Sequence, residues 1–509
     1  MDSKGRSGRQ ARQLERSRKG GGMGRPYIIR NIPTYDVLSE ENLLRIEAAA
    51  DRVLAETGIE FRDDPVALDH WRRAGARLDG VLVKFEPGML REILRSAPAT
   101  FTQHARNPLN SVQIGGKSVV FSPAYGSPFV MDLDRGRRFG TLEDFHNFIK
   151  LAQSSPNFHH SGGTICEPTD VAVNKRHLDM VLAHMTLSDR PYMGSVTAEA
   201  RSEDSIEMSR VLFGDGFVND NCVILGNVNV NSPLVWDGTM TRSLRAYARA
   251  NQAAVVVPFI LGGAMGPVTN AGGIMQSLAE TMAGCALTQL ERKGAPVIFG
   301  NFLSSMSLRS GSPTFGTPEP AIGSMVIGQL ARRLNLPLRC SGNFTTAKLP
   351  DGQAMMEGTM SMLAAIHSGA NFILHSAGFL DGLLSMSYEK FMMDADLCGA
   401  LHTYLDGVKI SDDELAVEAF AEVGPGNHFF GCSHTMAHYE TAFWDSDLAD
   451  NEPFEKWEAA GSTDAAQRAN FLWKKRLAEY EAPTMDIAVK EALEDFVARK
   501  KAAMKDEWY

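Results

Sequence analysis

From about residue 156 the chain repeats one unit: a short apolar run ending in Gly, Asn, Ser or His, then a stretch with apolar residues three and four apart. The runs are His160–Ile165, Tyr192–Val196, Val223–Val228, Val255–Leu261, Val297–Asn301, Leu336–Ser341, Asn371–Leu374 and His428–Gly431. Helical periodicity fills the gaps at Leu178–Ala183, Glu207–Leu212, Arg242–Asn251, Gln276–Gln289, Ser324–Leu334 and Gln353–Ser368. Short buried strands alternating with amphipathic helices predict a parallel sheet, whose neighbouring strands need a crossover between them. Eight units predict a TIM (β/α)8 barrel rather than an open doubly wound sheet. The open sheet would also call for a GxGxxG turn after a strand, and none occurs. The longest apolar stretch, Ala253 to Ala264, is interrupted by Pro258 and two glycines, and reads as a buried strand with its loop.

The pattern changes at both ends. Residues 1–25 carry eight basic side chains against Asp2 and Glu15, with no apolar segment of the secretory kind, and are expected to be a solvated, disordered tail. Residues 26–155 read as a helical and β-hairpin extension. Ser39 before Glu40 and Glu41 is a helix start, and Leu43, Ile46, Val53 and Leu54 follow at helical spacing. Residues 111–134 alternate and turn like hairpin strands. Residues 156–464 form the predicted barrel domain, and 465–509 read as charged terminal helices broken near Pro483.

Composition narrows the function. A formal net charge of −10 over 509 residues argues against a nucleic-acid binder of the basic kind. The six cysteines are far apart with no CxxC, so no thiolate zinc site or redox pair is signalled, and reduced thiols in a cytoplasm are the expectation. No run approaches the length of a membrane span.

In a barrel of this type functional residues sit just past the C-terminal ends of the strands. The third run exits towards Asn227, Asn229, Asn231 and Trp236, and the fifth towards Asn301, Met306, Arg309, Phe315 and Glu319. The sixth exits into SGNFTTAKLPDGQAMMEG, with Asn343, Phe344, Lys348, Asp351, Gln353 and Glu357, and the seventh into His375, Ser376 and Phe379. After a Gly-Pro-Gly turn, His428, His434, His438, Tyr439, Phe443 and Trp444 crowd together. Aromatic faces attract cations, so such a cluster suits a positively charged ligand.

Several of these segments, namely NSPLVW, FGTPEPA, the SGNFTTAKLPDGQAMMEG loop and residues 426–469, resemble motifs of the trimethylamine methyltransferase family. The likeness spans about residues 28–500. It implies transfer of a methyl group from a methylamine or betaine to the Co(I) corrinoid (cobalamin) of a separate partner protein, with no tightly bound cofactor and a homo-oligomeric assembly. The trimethylamine-specific members carry pyrrolysine, whereas this chain holds only standard residues. The resemblance therefore points to members acting on quaternary amines such as glycine betaine. Proline betaine, carnitine and γ-butyrobetaine are the alternative substrates, and a barrel that binds betaine without turnover is the alternative of another class.

A quaternary nitrogen needs ring faces or a carboxylate beside it, and the candidates are Phe344, Tyr439, Phe443 and Tyr125, with Glu357 as the anion. Donors for a substrate carboxylate are His375, Asn227 or Arg309. Gln353 and His434 complete the candidate set. Each has a plainer reading: packed aromatics, Glu357 as a helix N-terminal acid, Arg309 paired with Glu319, Lys348 as a solvated loop charge. Cys432, His434 and His438 form C-x-H-x3-H, a partial zinc pattern. A quaternary amine has no lone pair to offer a metal, so no metal is expected in the reaction.

Overall fold

A computed structural model describes residues 24–508, so the basic segment 1–25 lies almost wholly outside the described residues. The core is a mixed α/β fold on a curled, largely parallel sheet. Its parallel strands are β1 (Ser118–Phe121), β2 (Tyr192–Met193), β3 (Ile224–Val230), β4 (Ala253–Gly262), β5 (Val297–Gly300), β6 (Leu338–Ser341) and β7 (Phe372–Leu374). They pair in the spatial order β1-β7-β6-β5-β4-β3-β2. Residues 159–162 run between the two ends of that order. His159 N–H donates to the Phe121 carbonyl (3.1 Å), Ser161 N–H to the Pro191 carbonyl and Met193 N–H to the Gly162 carbonyl, both at 2.8 Å.

Helices follow each of these segments in turn: α1 (Leu142–Ser154), α2 (Arg176–Leu187), α3 (Glu199–Phe213), α4 (Gly238–Arg249), α5 (Asn270–Glu291), α6 (Pro318–Arg333), α7 (Gly352–Ser368) and α8 (Tyr388–Asp406). All six helices expected from periodicity are present. Several start on capping side chains, among them Thr141 with Asp144, Asp237, Asp351 and Ser387, which accept bonds from otherwise unpaired first-turn N–H groups.

One strand comes from an unexpected place. The run His428–Gly431 carries no strand. The sheet instead uses Ser118–Phe121, from the segment expected to be hairpin, and pairs it parallel with β7 through Phe372↔Val120. Four residues flanked by turns cannot reveal whether their partner is the adjacent strand or one 250 residues away. The hairpin expectation holds next to it: Thr100–Gln103 pairs antiparallel with Val112–Gly115, and Phe129–Asp132 with Gly136–Phe139.

The sheet's inward face is largely apolar. Val120, Leu225, Val255, Val257, Ile298, Phe372 and Leu374 form one buried cluster there, joined by Val112 and Ile114 of the first hairpin. Burial of each such side chain contributes about 1.5–3 kcal/mol. Polar side chains interleave on the same face: Asn227 is level with Val255, Arg339 with Phe372 and Ser341 with Leu374, and His375 follows β7. The terminal helices Ala465–Ala478 and Ile487–Ala502 lie outside this core and are separated around Pro483, as expected. Trp473 rests on Tyr388 at 4.6 Å between centroids, and Lys501 pairs with Asp179 at 2.8 Å.

Candidate active site at the C-terminal ends of the strands

Arg339 is the centre of the arrangement. Strand alternation sets Leu338 and Cys340 outward and Arg339 and Ser341 inward. The register places Arg339 between Gly300 and Phe372. Gly300 is needed there, since a Cβ would run into the Val256 carbonyl and the Val257 side chain. The guanidinium is fully buried. One terminal nitrogen donates to the Asn301 carbonyl (2.6 Å) and the other to His375 Nδ1 (3.0 Å), while Nε has no partner. Burial pulls its pKa down to about 9, which leaves it charged at neutral pH. Among the described residues no carboxylate pairs with it. A buried guanidinium without an anion is costly, several kcal/mol by the usual reckoning, so an anionic ligand is its natural complement.

His375 adopts a left-handed backbone conformation, φ 66°, which a non-glycine residue holds only when its surroundings fix it. Here they do. Its N–H donates to Pro123 O (3.2 Å), its carbonyl accepts from Asn343 N–H (2.8 Å), and Asn343 Nδ2 donates to Ser376 O (2.6 Å). Behind it, the buried Lys390–Asp394 pair holds the loop, with Asp394 accepting from Gly378 N–H at 2.9 Å. Arginine only donates, so His375 Nδ1 is the acceptor and the ring proton sits on Nε2. Burial, then the Arg339 charge, holds His375 well below its ordinary pKa and keeps it neutral.

Aromatic rings gather around this pair. Phe344 stacks on Phe302 at 4.9 Å and lies 4.8 Å from His375, 5.1 Å from Phe315 and 5.9 Å from Phe379. Phe302 also covers the Arg339 guanidinium, 5.4 Å from its centroid. A neighbouring cavity is walled by Phe302, Phe315, Ser341 and Phe344 together with Pro320 and Ser324 of α6 and Ser361 of α7; Arg339 and His375 are not among its lining residues. Across the concave face, Asn227 is buried with its Oδ1 unpartnered. Tyr125 packs near Met193 there, its hydroxyl pushed up to about 12 by burial.

Of the ten expected site residues, Phe344 and His375 meet beside Arg339, while Tyr125 and Asn227 lie elsewhere on the sheet's inward side. Glu357 is on α7. Its carboxylate accepts from Thr345 Oγ1 (2.7 Å), Thr346 N–H (2.8 Å) and Gln353 Nε2 (2.9 Å), and so it anchors the loop that carries Phe344. Both Glu357 and Gln353 bond to that loop in this structure. Arg309 is exposed on the turn between Phe302–Met306 and Pro313–Thr314, and the expected pair with Glu319 is absent. His434, Tyr439 and Phe443 belong to an exposed segment beyond α8. Phe443 is 88% exposed and Tyr439 54%.

Sequence reasoning passed over Arg339 and Phe302. The first was detectable: LPLRCS is an apolar strand run with a charge at an inward-facing position, and a buried charge demands a partner or a ligand.

The family model described as trimethylamine methyltransferase matches residues 5–505. A glycine betaine methyltransferase of Desulfitobacterium hafniense is 38% identical over 470 residues, 92% of this chain and 98% of the relative. The proline betaine:corrinoid methyltransferase of Eubacterium limosum is 26% identical, covering 88% of this chain and 94% of that one. Among solved structures, the monomethylamine methyltransferase of Methanosarcina barkeri superposes with a TM-score of 0.50 at 12% identity, covering 92% of this chain and 91% of that one, a likeness of fold. The chain belongs to the trimethylamine methyltransferase family.

Proposed function

We propose that this protein transfers a methyl group from a betaine, with glycine betaine the first choice, to the Co(I) corrinoid of a partner protein. The observation that carries the reading is Arg339: a buried cation lacking an anion, set beside a cluster of phenylalanines. A betaine answers both features, its carboxylate meeting Arg339 and its trimethylammonium meeting the rings of Phe302, Phe315, Phe344 and Phe379. Trimethylamine has no carboxylate to offer. The 38% identity to a glycine betaine methyltransferase supports the same choice.

In this reading the seven sheet strands and residues 159–162 make the eight-stranded cylinder of a (β/α)8 barrel, with the site at its C-terminal mouth. The expected domain limits need two changes: β1 and α1 join the barrel, and its last helix ends at Asp406, well before residue 464.

The corrinoid supplies a reduced cobalt nucleophile when the partner brings it to the mouth. The opening suits a visiting protein: Val268, Leu308, Leu349 and Leu384, on loops past the strand ends, are 67%, 71%, 52% and 47% exposed. The rest of the work falls to this chain. Arg339 fixes the carboxylate through charge-assisted bonds, and His375 Nε2–H is a second donor. Ring faces hold the ammonium at about 0.5–2 kcal/mol per contact and exclude water. One methyl is thereby aimed outward, and fixed orientation of this kind can contribute on the order of 7–11 kcal/mol. As the carbon–nitrogen bond breaks, its electron pair stays on nitrogen and the amine leaves neutral. No proton is needed at that moment, in keeping with a neutral His375.

The test is to mix the purified chain with a cognate Co(I) corrinoid protein and a panel of betaines, following the cobalt spectrum and the demethylated product. Methylation by glycine betaine and none by trimethylamine is expected. Tight betaine binding without any cobalt methylation would favour a non-catalytic binder and overturn the proposal.

A further inference from the structure

Residues 408–445, beyond α8, are a poor protein interior. Of their side chains only Ala419 and Cys432 are buried, and neither joins any of the molecule's hydrophobic clusters. Phe420, Phe430 and Phe443 are 64%, 86% and 88% exposed. Yet the segment folds into short helices, including Asp412–Leu415 and Ser433–His438. A segment too small to bury a core of its own is commonly fastened by a cross-link, and a metal ion is one such device.

The ligands for one are already together. His434 and His438, four residues apart on the second helix, lie 4.5 Å apart between ring centroids with their planes tilted by 44°. Asp413 of the first helix meets both: its carboxylate lies 3.0 Å from His438 Nε2, and its carbonyl 2.9 Å from His434 Nε2. One ligand atom from each of the three lies within 4.8 Å of the others. Ligands about 2.1 Å from a tetrahedral ion stand roughly 3.4 Å apart, a distance that small rotations of these half-exposed and exposed side chains supply.

We propose that Asp413, His434 and His438 bind a divalent d-block cation, Zn2+ by the match of two imidazoles and one carboxylate, and that this ion staples residues 408–445. Water occupies the fourth position. In this assignment two members of the partial zinc pattern are ligands and Asp413 stands in for the third, since Cys432 turns to Thr435 Oγ1 (3.2 Å). The site is separate from the barrel opening, so the ion has a structural role and takes no part in methyl transfer.

The full-length protein, stripped with chelator and dialysed against Zn2+, should hold one zinc per chain by elemental analysis. H438Q and D413N should each weaken zinc binding by at least about tenfold, while C432S keeps it. Zinc should also slow chymotryptic cleavage within 408–445 in the wild type and leave H438Q unchanged, a readout independent of activity. Zinc content well below one per chain, retention by H438Q and D413N alike, or loss in C432S would overturn the assignment. Protection that rises with protein concentration and ignores zinc would do so too, since a second copy would then be covering the segment.

Discussion

Arg339 and His375 form one electrostatic unit, and perturbing either should register at the other. Two things hold His375 down: its burial and the adjacent guanidinium, which also occupies its Nδ1 lone pair. In R339M the charge is gone and the lone pair is free, so the His375 pKa should move up. Nitrogen NMR of the imidazole would read this directly, and an unmoved resonance would contradict the pairing. In the wild type His375 stays neutral through the ordinary range. The rate of methyl transfer should therefore show no histidine-like ionisation between about pH 6 and 8 from this enzyme. Phe344 meets Phe302, Phe315, Phe379 and His375 together. F344L should raise the KM for betaine by a few-fold to roughly thirtyfold, the loss of one or two cation–ring contacts. At this scale the sequence was half legible. His375 was found because it follows an apolar strand, and Phe344 because it lies in a polar loop past one. Arg339 is invisible to a rule based on strand exits, because it occupies an inward position within a strand.

Among the elements, the loop after β6 matters most, because it carries Asn343 and Phe344. Glu357 of α7 clasps it through Thr345 and Thr346, and Gly316 packs so closely on Glu357 that a Cβ there would strike the Glu357 side chain and backbone. Gly316 also has φ 69°, in the left-handed region that favours glycine. E357A leaves two buried or half-buried threonine groups without their acceptor and should cost about 1–3 kcal/mol of stability by thermal or denaturant unfolding. It should also raise the KM for betaine as Phe344 loses its seat. E357Q, which keeps an acceptor oxygen, should recover most of both. If E357A left stability and KM at wild-type values, the anchoring role would be wrong. The helices were legible because apolar spacing and capping residues are local signals. The partner of Ser118–Phe121 was not, since strand pairing across the chain leaves no mark in four residues.

For the whole molecule, the alternation of strand and helix announced the architecture, and its polar strand exits announced the end that would hold the site. The aromatic block after α8 lies on an exposed segment, because density of rings in sequence says nothing about where the fold puts them, and the rings beside Arg339 come from the loops past β5, β6 and β7. The apolar rim of Val268 and Leu308, whose side chains both approach Gly263, is the surface expected to meet the corrinoid protein. L308E should slow methyl transfer by at least about tenfold at low partner concentration while leaving betaine binding intact. Unchanged transfer would move the docking face elsewhere. The most direct test of the account is calorimetric titration of the wild type and R339M with glycine betaine and with tetramethylammonium, which lacks the carboxylate. Removing one partner of a buried charge pair costs about 3 kcal/mol, roughly 100-fold in affinity. Glycine betaine should therefore bind R339M about 100-fold more weakly than wild type, and tetramethylammonium should bind both weakly and alike. Equal affinity of glycine betaine for the two proteins would contradict the account.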